Sequence, residues 1–200
     1  MYNTELKERI RNNLKHTLSD QRYTHVLGVA AAARRLAGIY GYDTDKAEVA
    51  GLLHDAAKQL PLNDMQTLAR RSFGDTLPLP VMATGSLLHG YAAVTVAREI
   101  YGIDDPELLA SLAHHTTGAE AMGMLEKIIF VADYIEENRS FEGVEALRCI
   151  AFQNLDKAVL AGYDSTIRHL LDQGKTIFTG TVVNRNAQIK HLYDLDRKAR

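Results

Sequence analysis

One cysteine, no excess of positive charge and no long apolar run: the 200-residue chain is bounded first by what it lacks. Cys149 alone cannot close an internal disulfide, which fits a reducing compartment. At a formal net charge of −2, no global positive field holds nucleic acid or an anionic membrane. A polyanionic ligand therefore needs a local cluster of cations or metal ions. The longest apolar runs, such as Val26 to Ala33, fall far short of a membrane span. The stretch Met1 to Arg11 is charged and lacks the apolar core of a signal peptide. The expected setting is cytoplasmic, with neither nucleic acid nor membrane as partner.

Further absences concern chemistry and architecture. No G-x-x-x-x-G-K-[ST] loop is present to cradle phosphates. Ser72, Ser86, Ser111 and Cys149 fall in no Ser-His-Asp or Cys-His arrangement. No segment alternates with the period of a strand, and no repeat or low-complexity tract occurs.

What is present is helical period, with apolar content of 46% in a chain long enough for one sizeable core. Leu6, Ile10, Leu14 and Leu18 mark a first helix. Others are expected over Tyr23–Tyr40, Ala47–Ala57 with Asp43 or Thr44 as cap, and Met65–Phe73 with Asn63 as cap. Gly74 to Pro80, with two of the four prolines, reads as loop. Helices follow over Leu87–Tyr101, capped by Ser86, over Glu107–His115, opened by Pro106, and over Leu125–Glu137. Gly143 opens a short helix, Phe152 to Gln173 forms a long one, and Asn184 to Arg200 closes the chain. The β-branched segment 177–186 reads as an extended loop closing over a site. The fold expected is all-α: a single domain over 1–200, a helical bundle with a metal site where helix ends converge.

That site is written in an ordered set, His25, then adjacent His54 and Asp55, then His89, His115 and Asp133, each beside an apolar helical stretch. Imidazole and carboxylate both bind divalent first-row metals, and a carboxylate can bridge two ions. Neighbouring helical side chains diverge by roughly 100°, so His54 and Asp55 can share one metal while Asp55 reaches toward another. His25 and His89 are placed in first turns, and His54, Asp55 and His115 in last turns. Asp133, inside I-I-F-V-A-D, would cost several kcal/mol to bury unless paired or metal-bound. Pairing with Arg139 or Lys127 is the alternative. A lone histidine on an apolar face is more often a hydrogen-bonded core residue than a ligand. His16, His169 and His191 sit among polar residues and carry no such signal.

The segments R-Y-T-H-V-L-G-V (22–29), A-G-L-L-H-D-A-A-K (50–58), L-L-H-G (87–90), H-T-T-G (115–118) and L-E-K-I-I-F-V-A-D-Y-I-E-E-N-R (125–139), followed by F-E-G-V, resemble the HD-domain phosphohydrolases. Within that superfamily the chain closely resembles the bacterial YqeK-type symmetrical diadenosine tetraphosphate hydrolases. The motif core covers about 22–140, and the C-terminal helices, 143–200, complete the pocket. The resemblance implies two divalent metal ions, iron by family, held by His25, His54, Asp55, His89, His115 and Asp133, with Asp55 bridging. Manganese, cobalt or nickel suits the same donors. The family ligand directly precedes T-T-G, which selects His115 over the adjacent His114.

Two ions about 3.5–4 Å apart can share a hydroxide and clamp an in-line phosphoryl displacement. Catalytic roles are expected for Asp55, Lys58 and Arg139: Lys58 lies three residues after Asp55, and arginine makes bidentate phosphate contacts. An ordinary solvated lysine, and an arginine paired with Glu136 or Glu142, are the plain alternatives. Arg34–Arg35 and Arg70–Arg71 read as solvated helix faces. Nucleotide contacts are expected from Asp55, Ala56, Ala57, Lys58, His89, His115, Thr116, Asp133 and Arg139. The family also implies Ile177, Phe178, Thr179, Gly180, Thr181 and Val182, although Thr179–Gly180 replaces a proline often found there. The implied reaction converts diadenosine tetraphosphate to two ADP, with a small-molecule nucleotide as partner. A homodimer remains open, as do a nucleotidase or cyclic-nucleotide phosphodiesterase and a binding module with a structural metal.

Overall fold

Apolar residues at helical spacing, bounded by capping side chains, produce eleven α-helices and no strand among the residues described, 2–198, of the computed structural model. They are α1 (Thr4–Thr17), α2 (Asp20–Ile39), α3 (Thr44–Leu53), α4 (Leu62–Phe73), α5 (Leu79–Met82) and α6 (Gly85–Tyr101). There follow α7 (Pro106–His114), α8 (Met124–Ile135), α9 (Val144–Ala151), α10 (Leu155–Asp172) and α11 (Thr179–Lys198). Asn3, Ser19, Asp43, Asp105 and Asn154 each accept a backbone N–H of the first turn that would otherwise lack a partner. The all-α expectation holds. The closing helix was expected to reach Arg200, whose last two positions, 199 and 200, lie outside the described residues.

Helices α2 and α8 form the centre, with α3 crossing α2, α7 against α8, and α10 laid over α8 and carrying α11. Leu52, Leu53, Ile128, Phe130 and Tyr163 are fully buried between these layers. Two glycines set how closely the helices meet. A Cβ on Gly51 would fall 2.7 Å from the Cα of Ala30, and one on Gly90 would fall 2.5 Å from the carbonyl oxygen of Leu112. Side-chain-bearing residues there would push α3 off α2 and α6 off α7. His54 lies one turn after Gly51 and His89 directly precedes Gly90, so helix approach and histidine placement are one feature.

Several boundaries differ from expectation. Ser19 caps α2 one turn earlier than Tyr23, and α6 begins at Gly85 after Thr84, so His25 and His89 lie in second turns, not first. Helix α3 ends at Leu53, not Ala57; beyond it the chain tightens into i→i+3 bonds, Ala56 to Leu53 and Lys58 to Asp55, each 3.0 Å. Pro61, not Asn63, precedes α4, without a side-chain cap. Leu79–Met82 is helical where loop was expected, with proline in its first turn. The expected extended loop 177–186 is helical from Thr179, the β-branched preference being overridden where α11 packs on α10.

Arg34 and Arg35 are not simply solvated. Arg35 lies 4.0 Å over the Phe152 ring. Arg34 joins Lys7 and Arg11 around Glu48, which is 8% exposed: Lys7 Nζ donates at 2.8 Å, Arg34 Nη1 at 2.9 Å, and Arg11 closes the third side. Burial opposes ionisation of Glu48, but Lys7 and the two arginines outweigh it and hold the carboxyl below its ordinary value. This network ties α1 to α2 and α3. Glu48→Ala should cost about 2–3 kcal/mol at neutral pH by urea denaturation, and a loss below about 0.5 kcal/mol would contradict the assignment. Because the folded pKa is the lower one, the stabilisation is present above the unfolded value of about 4.3. It is lost as pH falls through the folded value, so wild type and variant should converge in acid.

Candidate metal centre

Four histidines and two carboxylates, from α2, α6 and α8 and from the residues that directly follow α3 and α7, converge in one buried cluster. His54 and His89 are fully buried, and His25, Asp55 and His115 are each under one-tenth exposed. Three of the imidazoles donate Nδ1–H to a backbone carbonyl one turn earlier: His54 to Gly51 at 2.6 Å, His89 to Gly85 at 3.2 Å and His115 to Leu112 at 2.8 Å. These partners assign the tautomer, leaving each Nε2 with a lone pair that faces the cluster. Burial pushes the pKa of both His54 and His89 down to about 4, so both are neutral at pH 7.

The lone pairs of His25 and His54 meet no proton donor, while His89 Nε2 has Lys58 Nζ at 3.2 Å and His115 Nε2 has the Thr116 hydroxyl at 3.1 Å. His89 Nε2 and His115 Nε2 are 2.8 Å apart, and Asp55 Oδ1 lies 3.0 Å and 3.7 Å from them. On the other side, Asp55 Oδ2 lies 3.5 Å from His54 Nε2 and 3.8 Å from His25 Nε2, while His25 Nε2 is 3.2 Å from Asp133 Oδ1. His25 Nε2, His54 Nε2 and Asp55 Oδ1 are buried without any hydrogen-bond partner. Acceptors packed against acceptors in this way repel one another unless a cation lies among them. Edges of this length also suit donors on one ion at bonds of about 2.0–2.2 Å. The residues fit a divalent metal, and the two oxygens of Asp55 belong to two different donor groups.

Second-layer contacts hold Asp55 in this orientation. Arg22 Nη1 donates to Oδ2 at 2.8 Å, and Lys58 Nζ lies 3.9 Å from Oδ1. Burial works against the Asp55 charge, but His54, His115, His89 and Lys58 outweigh it and hold the carboxyl well below the usual range. Asp133 is likewise held low against burial, by His25, His54 and Arg139. Arg139 pairs with Asp133, not with Glu136 or Glu142, and Lys127 pairs with Asp156. Burial lowers the pKa of Lys58.

A cleft of about 540 Å³ opens onto the cluster, lined by Lys58, His115, Thr116, Asp133 and Arg139 on one side and Ser165, Thr166 and His169 on the other. Thr116 and Thr166 are shared with a second cleft of about 440 Å³, whose walls include Leu87, Leu170, Ile177, Phe178, Thr179 and Thr181. Other expected residues are not brought there. Ala56 and Ala57 only form the turn after Asp55, and Val182 faces a shallow cleft beside Ile167 and Arg185. Gly180 sits in the first turn of α11 against the Phe178 ring. His114 turns away from the cluster, its Nδ1 2.6 Å from Glu126.

Glu136, expected only as an alternative partner for Arg139, instead backs a histidine of the cluster. Its carboxylate is 2% exposed and lies 3.2 Å from His25 Nδ1, so His25 alone among the four histidines is backed by an acid instead of a carbonyl. Asn138 fixes that carboxylate through its backbone N–H at 2.8 Å and its amide at 3.0 Å. The available signal was a second acid one turn after Asp133. His169, which carries no ligand signal in the sequence, is exposed and lines the cleft.

A model of the HD domain matches residues 22–138, more than half of the sequence, and the chain belongs to the HD-domain family. It is 40% identical over 174 residues to the symmetrical bis(5′-nucleosyl)-tetraphosphatase of Halalkalibacterium halodurans, covering 86% of this chain and 91% of that protein. The protein of the same name from Staphylococcus aureus is 37% identical over 179 residues, covering 88% and 90%. Among solved structures, a "predicted HD superfamily hydrolase involved in NAD metabolism" from Clostridium acetobutylicum superposes with a TM-score of 0.87 at 42% identity, over 92% of this chain and 97% of that one.

A carboxylate behind a metal-bound histidine fixes its ring and raises its basicity. Glu136→Gln should therefore weaken metal binding about ten- to hundredfold in equilibrium dialysis while the far-ultraviolet circular dichroism stays that of the wild type. Unchanged affinity would contradict the role.

Proposed function

We propose that this chain hydrolyses dinucleoside polyphosphates symmetrically, converting diadenosine tetraphosphate and one water to two ADP. The observation that carries the reading is the division of Asp55 between two donor groups, which suits a pair of divalent ions beside a cationic cleft. The printed names of the relatives at 37–40% identity supply the substrate class. His89 and His115 with Asp55 Oδ1 would hold one ion. His25 and His54 with Asp55 Oδ2 and Asp133 would hold the other. Bound there, two ions supply Lewis acidity and an activated water for in-line displacement.

The chain's own groups do the rest. Lys58 and Arg139 line the cleft and offset phosphate charge as it builds on the leaving diphosphate. Arg139 is aimed by its two bonds to Asp133. Thr116 sets its hydroxyl 3.1 Å from His115 Nε2, within reach of the same phosphate region. Ile177, Phe178, Thr179 and Thr181 offer a mainly apolar wall for one nucleoside, so α10 and α11 serve the same unit as the motif core. Iron is the metal that the family resemblance implies, and the mixed histidine and carboxylate donors equally accept manganese, cobalt or nickel. An exposed, unpaired Cys149 suits the reducing cytoplasm.

Metal-loaded protein incubated with diadenosine tetraphosphate should yield ADP as the sole product on anion exchange. AMP with ATP would refute the attack position. Turnover of cyclic nucleotides or nucleoside monophosphates, with the dinucleotide untouched, would refute the substrate class.

A further inference from the structure

A substrate with two nucleosides needs two places to put them, and the cleft beneath Ile177 and Phe178 supplies one. The F-E-G-V segment, beginning at Phe141, is the sequence motif that the reaction so far leaves unused. Three clefts meet in a row along α10. Thr166 and Leu170 line the apolar one. Ser165, Thr166 and His169 line the cationic one beside the metal cluster. Ser165 and His169 recur with Arg168 and Asp172 in a third, of about 570 Å³. A helix turns roughly 100° per residue, so these sets occupy successive faces of one rod. Phe141, half-buried, lines both the second and the third. The cationic centre is thus flanked on one side by Phe178 and on the other by Phe141.

Resting on the hydrolase reading above, we propose that the Phe141 cleft is a second nucleoside subsite, holding the far nucleoside of a dinucleoside polyphosphate. Phe141 offers a π face to a base, while Ser165 and His169 offer hydrogen bonds to its sugar or its edge. Glu142 and Asp172 line it too. Carboxylates there accept from the exocyclic amine of a base. With Glu142, Asp164 and Asp172 around the single arginine Arg168, the cleft has no excess of positive charge for a terminal phosphate, which favours a neutral nucleoside over a longer free phosphate chain. With a nucleoside anchored on each side, the middle anhydride is the bond held over the metal cluster. Two flanking subsites therefore set the register of symmetrical cleavage: water adds to one inner phosphorus, the central P–O bond breaks, and the departing ADP takes the proton.

The test compares metal-loaded wild type with Phe141→Ala and with His169→Ala, the latter an exposed position whose replacement leaves the core intact. Wild type should bind two ADP per chain by titration calorimetry, and each variant one. The preference in kcat/KM for diadenosine tetraphosphate over adenosine 5′-tetraphosphate should fall about fivefold or more in Phe141→Ala, the loss of one stacked base, with AMP and ATP appearing among the products. Wild-type turnover with two bound ADP and an undiminished preference in both variants overturns the second subsite alone. Wild type that binds ADP but leaves the dinucleotide intact refutes the hydrolase reading, and the subsite falls with it.

Discussion

The carboxylate of Asp55 is the group around which the rest is arranged. It is 2% exposed and ionised, and its oxygens face in different directions toward separate pairs of imidazoles. Three ring nitrogens are fixed as acceptors by carbonyls one turn earlier, and a fourth by Glu136. An uncompensated cluster of this kind would cost several kcal/mol in a protein interior. Arg22 and Lys58 offset part of that cost at Asp55, but neither reaches the lone pairs of His25 and His54. The cluster makes physical sense as a cradle for cations.

The fold delivers these groups through helix approach, not through a dedicated loop. Gly51 lets α3 settle on α2, which brings His54 to His25; Gly90 lets α6 settle on α7, which brings His89 to His115. The i→i+3 turns after α3 then swing Asp55 between the two pairs and place Lys58 on the same side. Helix α8 contributes Asp133 at its last turn and Glu136 at its cap, so one helix end supplies a donor and the acid that orients His25. The same end leads through Arg139 to Phe141, joining the donor cluster to the cleft beside it in nine residues of sequence.

Much of this was legible in the chain because chemistry and apolar period coincide at the same residues. His25, His54, Asp55, His89, His115 and Asp133 each sit beside a buried helical face, and that is where the structure gathers them. Helix starts were less legible: α2 begins at Asp20 behind Ser19 and not at Tyr23, and α6 begins behind Thr84 and not Ser86, because several polar residues compete for the cap. The segment from Thr179 misled through its β-branched residues, whose weak local preference yields to packing on α10. The contacts of Glu136 with His25 and of Arg22 with Asp55 were not legible, because an acid or a base on a helix looks the same in sequence whether it meets water or a buried partner. Phe141 and His169 meet only because α10 sets three clefts side by side, a relation between residues far apart in the chain.

The most direct measurement is anomalous diffraction from crystals of the metal-loaded protein, at the absorption edge of the bound metal. Two peaks about 3.5–4 Å apart, one on each side of the Asp55 carboxylate, are predicted. A single peak, or peaks that Asp55 does not join, would contradict a centre built on that bridge.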